Sequence, residues 1–90
     1  MAVATRTETA QRSLGLRIQE LRQARGETQE SFAPKLGMLP PNYARIEQGR
    51  MNVTIDTLVR IATGLRVELS ELFVASKAKR AKPGRPPKAR

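Results

Sequence analysis

The sequence predicts an all-α fold of five short helices followed by a disordered basic tail, and three observations predict it. Apolar residues between positions 13 and 75 recur at helical spacing. Single glycines at Gly26, Gly37, Gly49 and Gly64 punctuate that stretch, one after each of the first four helices. No segment alternates apolar and polar residues with the two-residue period of a strand.

The first helix carries Leu14, Ile18 and Leu21 on one face and stops at Gly26. Its start has two readings. Thr5 with Glu8 forms a capping box, which would draw the polar arm over 1–12 into the helix; Ser13 offers a later start. The second helix is capped by Thr28, turns Phe32, Ala33 and Leu36 inward, and ends at Gly37. Pro34 removes one of its hydrogen bonds, so a bend or a tightened turn is expected there. The third begins at Pro40 or Pro41, where a proline's missing N–H has no helical partner to lose. Tyr43 and Ile46 are its inward pair, with the Tyr43 hydroxyl at the rim, and Gly49 closes it. The fourth is capped by Thr54, carries Ile55, Leu58, Ile61 and Ala62, and ends at Gly64. A short fifth helix runs from Val67 to Val74 with Leu69, Leu72 and Phe73 apolar. Residues 13–75 thus make one domain, and 76–90, built of Lys, Arg, Ala, Pro and Gly after Ser76, hold too little apolar surface to fold.

Charge narrows the function. The 90 residues carry 17 Lys and Arg against 8 Asp and Glu, a formal net charge of +9. Residues 77–90 hold seven of those cations and no acid, leaving the rest near balance at +2. Such a chain seeks a polyanion, nucleic acid before membrane. No stretch is long and apolar enough to span a bilayer, and the first residues lack a secretory h-region, so a cytoplasmic location is expected, on the nucleoid when bound. With no Cys and no His, and with the acids scattered along the chain, no enzyme, metal site, cofactor or small-molecule ligand is expected.

The stretch from Thr28 to Gly49 has helix-turn-helix spacing: a short helix, a turn on Gly37 and a second short helix. Such a second helix fits the DNA major groove while the first crosses the phosphate backbone. Five landmarks then fall in register: Leu14-Gly-Leu-Arg-Ile-Gln-Glu-Leu-Arg22, Thr28-Gln-Glu-Ser-Phe-Ala33, Arg45-Ile-Glu-Gln-Gly49, Leu65, and Leu72-Phe73. Together they resemble the Cro/cI-type helix-turn-helix domain of phage repressors, the XRE group, over about residues 13–73.

That resemblance implies a lambda-repressor-like domain that binds a palindromic operator in double-stranded DNA as a homodimer and regulates transcription. It implies DNA contacts at Thr28, Gln29, Pro41, Asn42, Arg45, Arg50 and Asn52. Gln29 matches a family glutamine that bonds a phosphate at a helix N-terminus. Arg22 and Glu47 match an ion pair joining the first helix to the third. Arg50 and Asn52 fall where the family touches phosphate, although either also suits a cap. The third helix departs from the family: Leu39-Pro40-Pro41 stands where a Ser or Thr cap and polar readers are usual. Prolines donate nothing to a base edge and touch thymine methyls at most. Base reading therefore shifts to Asn42, suited to adenine, and Arg45, suited to guanine or else to a phosphate.

Two accessory sites complete the reading. Lys82, Arg85 and Lys88 lie in a Lys-Pro-Gly-Arg-Pro-Pro-Lys run that weakly resembles an AT-hook, whose Arg can enter a narrow minor groove. Equally, the tail can act as a polycation on phosphate alone. Leu69, Leu72, Phe73 and Val74 exceed what a short fifth helix needs for the core and are the candidate dimer contact. A phage-type repressor, an antitoxin and a restriction–modification controller all fit. The competing class is an architectural or protein-interaction module that holds DNA through its tail without sequence choice.

Overall fold

The structure, a computed structural model, describes residues 4–76. Helix α1 spans Arg6–Ala24, because Thr5 and Glu8 form the reciprocal capping box and thereby set the earlier of the two possible starts. Helix α2, Gln29–Phe32, has its own box: Thr28 accepts from the Ser31 N–H and Ser31 accepts from the Thr28 N–H. It tightens directly into a 3-10 turn, Ala33–Leu36, with Pro34 in the first turn, where a missing N–H is tolerated. Gly37 closes that turn at φ 73°, in the left-handed region. Helix α3 spans Pro40–Glu47 with both prolines in its first turn, and Leu39 at its N-cap makes no side-chain cap bond. Helix α4, Ile55–Leu65, is capped by the Thr54 hydroxyl, and a last 3-10 turn covers Leu69–Phe73.

The core is aliphatic apart from Phe32 and Tyr43, whose rings meet edge to face with centroids 5.4 Å apart. Ile18, Ala33, Leu36, Ile46, Leu58, Ile61, Ala62, Leu65 and Leu72 fill the rest. Gly15 lets α1 lie directly on α3: a Cβ there would stand 2.5 Å from the carbonyl oxygens of Ile46 and Glu47.

Four expectations need correction. The fifth helix is a five-residue 3-10 turn, Leu69–Phe73, shorter than the expected span from Val67 to Val74. Gly64 does not end α4; Arg66 takes the left-handed position at φ 60°. Gly64 serves packing instead, since a Cβ there would meet the Phe32 ring at 3.0 Å. Ile55 points outward, 66% exposed, because the inward stripe of α4 starts one turn later at Leu58. Leu72 is wholly buried in the core and has no surface to offer a second subunit.

Candidate nucleic-acid interface

Helix α3 has two sides of opposite character. Its inner side is a closed polar junction. Arg22 on α1 donates from Nε to Glu47 Oε2 at 2.7 Å and from Nη2 to Oε1 at 3.0 Å, a bidentate ion pair between two buried side chains. The Tyr43 hydroxyl donates to Glu47 Oε2, and Gln29 Nε2 donates to Oε1 at 2.9 Å. Four donors thus converge on one carboxylate. The remaining Arg22 nitrogen, Nη1, donates to the Glu27 carbonyl at 2.6 Å and pins the turn before α2.

This geometry decides the ionisation. Burial pushes the Glu47 carboxyl up, but the hydrogen bonds from Arg22, Tyr43 and Gln29, with the Arg22 charge, outweigh it and hold the group below the usual carboxylate range. Arg22 is raised by the same bond, and Tyr43 is raised chiefly by burial. The Tyr43 hydroxyl is therefore an interior donor to a carboxylate, not a group at the rim as its sequence position suggested. The signal was the four-residue step from Tyr43 to Glu47, which places both on one side of α3.

The outer side is open. Pro41, Asn42, Arg45 and Gln48 are exposed, and the 41-45-48 spacing puts Pro41, Arg45 and Gln48 on one helical stripe with Asn42 alongside. Asn42 and Arg45 make no side-chain hydrogen bond or ion pair among the described residues. Leu39 stands 67% exposed at the N-terminal end of this surface. Arg50 and Asn52 are exposed in the loop that follows, with Arg50 reaching Gln48 at 3.4 Å. The predicted contacts on α3 thus share one surface, followed in the chain by those of the loop. The Gln29 side chain is held by Glu47 through one amide hydrogen, and its second amide hydrogen makes no side-chain bond among the described residues. Thr28 is engaged as the α2 cap, its N–H and hydroxyl both bonded to Ser31.

Of the expected dimer contacts, Phe73 and Val74 are exposed at 61% and 48%, while Leu69 packs partly against the core. Lys82, Arg85 and Lys88 lie outside the described residues. No group of acidic residues that could hold a metal occurs among the described residues, and no helix there is long and apolar enough to cross a membrane.

Known proteins are similar to this chain in sequence and fold. Residues 18–72 match the model of the family HTH_3, helix-turn-helix. The control protein C.MunI of a Mycoplasma species is 38% identical over 60 residues, covering 66% of this chain and 81% of that protein. The crystal structure of the restriction-modification controller protein C.AhdI from Aeromonas hydrophila superposes with a TM-score of 0.70 at 34% identity, over 72% of this chain and 98% of that one. A Vibrio cholerae transcriptional regulator of the HTH_3 family superposes equally well, TM-score 0.70, at 28% identity, over 74% of this chain and 38% of its own length.

Proposed function

The chain belongs to the HTH_3 helix-turn-helix family, and from that membership we propose how this member reads its operator. It is a sequence-specific DNA-binding transcriptional regulator, not an enzyme. In our reading α3 lies in the major groove, with Asn42 and Arg45 on base edges. Gln29 holds a phosphate at the N-terminus of α2, and Arg50 and Asn52 hold the backbone beyond α3. The observation that carries this reading is the division of α3: the polar groups on its inner side are satisfied within the protein, and Asn42 and Arg45 on its outer side make no side-chain bond among the described residues.

Of the regulator types the sequence leaves open, we favour a controller of a restriction–modification system. The likeness to C.MunI and C.AhdI supports it. We also propose a homodimer on a palindromic site. Phe73 and Val74 support this, with Ile55 and Val59 of α4 as further exposed apolar residues. The helical domain from Arg6 to the buried Ser76 then acts as the reading domain and residues 77–90 as an added phosphate contact through Lys82, Arg85 and Lys88.

Selection of bound duplexes from a random pool tests the proposal: it should return one palindrome of two half-sites. Deleting residues 77–90 should leave that preference intact and flatten the salt dependence, by about 0.9 in log–log slope for each phosphate that the tail neutralises. Loss of all sequence preference with the tail would overturn the role given to α3.

A further inference from the structure

The N-cap of α3 places an isobutyl side chain at the N-terminal end of the reading surface. Leu39 is the N-cap of α3, yet its side chain makes no cap bond. It is 67% exposed, the highest exposure of any large apolar residue among the described ones. The backbone fixes it there: φ −78° and ψ 141° are the extended values that precede a helix, and Pro40 behind it excludes the helical alternative. Pro41, one turn before Arg45, adds a second exposed apolar surface at the same end. N-terminal residues are the ones that a recognition helix sends deepest toward base edges. The major-groove floor offers one apolar group, the C5-methyl of a pyrimidine, and in unmodified DNA only thymine carries it.

We propose that Leu39, backed by Pro41, is a specificity-determining residue that selects thymine by packing on its C5-methyl group. This rests on the reading of α3 as the major-groove helix and adds a position to it. Asn42 and Arg45 read donors and acceptors, whereas Leu39 reads a methyl group and rejects cytosine, whose edge presents a polar amino group and no methyl. The prolines supply the rigidity: α3 begins with its first-turn backbone locked, so the leucine is presented without a loop to order on binding.

The experiment is a uracil scan. The operator is first selected from a random pool with the full chain, and each thymine in a half-site is then replaced singly by deoxyuridine, which deletes the methyl and keeps the pairing. Burying about one methyl is worth roughly fourfold in affinity. At one or two thymines per half-site, uracil should weaken the wild-type protein about three- to tenfold. Leu39→Ala should bind thymine and uracil equally at those positions, while keeping its discrimination at the positions read by Asn42 and Arg45. Leu39→Met, apolar and of similar reach, should restore the methyl preference. Melting temperatures of both variants should stay near wild type, as befits an exposed side chain. An undiminished thymine-over-uracil preference in Leu39→Ala at every position overturns the inference, as does an equal loss of affinity for all sequences. Failure of the scan on a selected palindrome leaves the regulator reading standing. A pool that returns no operator overturns both.

Discussion

The two sides of α3 use the same kinds of residue for opposite ends. Inside, Arg22, Glu47, Tyr43 and Gln29 form a junction whose hydrogen bonds are all made within the protein. Outside, Asn42 and Arg45 have equal capacity and face solvent. A guanidinium on the inner side sets the angle of the helix; one on the outer side is available to a base. The inner side accordingly controls whether the reading surface exists, and the outer side controls what it reads.

The strongest way to break this division is Glu47→Ala. It strands the Arg22 charge in the interior, and removing one partner of a buried pair costs about 3–5 kcal/mol. Chemical denaturation should record that loss, with binding to every DNA weakened in parallel. A midpoint near wild type would mean that the junction does not hold α3.

Acid probes the same carboxylate without mutation. The folded state holds the Glu47 pKa below its unfolded value, so its contribution is complete above the unfolded value of about 4.3. That contribution fades as pH falls from there through the folded pKa, because the unfolded chain takes up the proton first. Denaturation midpoints should therefore decline from about pH 5 downward. The decline should be shallower in Glu47→Gln, which has no carboxyl at that place; an equal slope in the two proteins would assign the acid sensitivity elsewhere.

On the outer side, Arg45→Ala should cost about 1–3 kcal/mol of operator binding and relax preference at one position per half-site. Its stability should stay within about 0.5 kcal/mol of wild type, as for other exposed positions. Uniform weakening on all sequences would make Arg45 a phosphate contact. Gln29 joins the two sides, and Gln29→Ala sharpens the comparison with the smallest effect. Operator and random DNA should both lose affinity, and stability should fall by about 0.5–1.5 kcal/mol for the bond to Glu47. Loss confined to the operator would move Gln29 to the base-reading group.

Much of this was legible in the residues. The Thr5 and Thr28 caps and the stops at Gly26 and Gly37 rest on local chemistry that sequence spacing records; the Arg22–Glu47 pair, 25 residues apart, was legible only through the family resemblance. What escaped required knowledge of the neighbours. Gly64 reads as a terminator because a glycine needed for positive φ and one needed for close packing share a letter; only the Phe32 ring beside it tells them apart. Leu72 and Phe73 are adjacent apolar residues in a 3-10 turn, and the core beneath the turn decides which is buried. The end of the α4 stripe that overhangs the core, leaving Ile55 outside, was likewise not marked by periodicity. The Tyr43 hydroxyl went inward because a carboxylate waited there, one turn along the helix.

One clasp bears on the order in which the domain assembles. Arg17 of α1 donates to the Glu71 carbonyl at 2.8 Å and to its carboxylate at 3.0 Å, across 54 residues of chain. The helix-turn-helix segment from Thr28 to Gly49 closes over far shorter loops. Loop-closure entropy therefore favours early condensation of that segment, with the clasp between α1 and the last turn forming after the rate-limiting barrier. Breaking the clasp should then leave the refolding limb of a chevron plot nearly unmoved and speed escape from the native state. Glu71→Ala should show this as faster unfolding, within the roughly 1 kcal/mol that a partly exposed ion pair contributes.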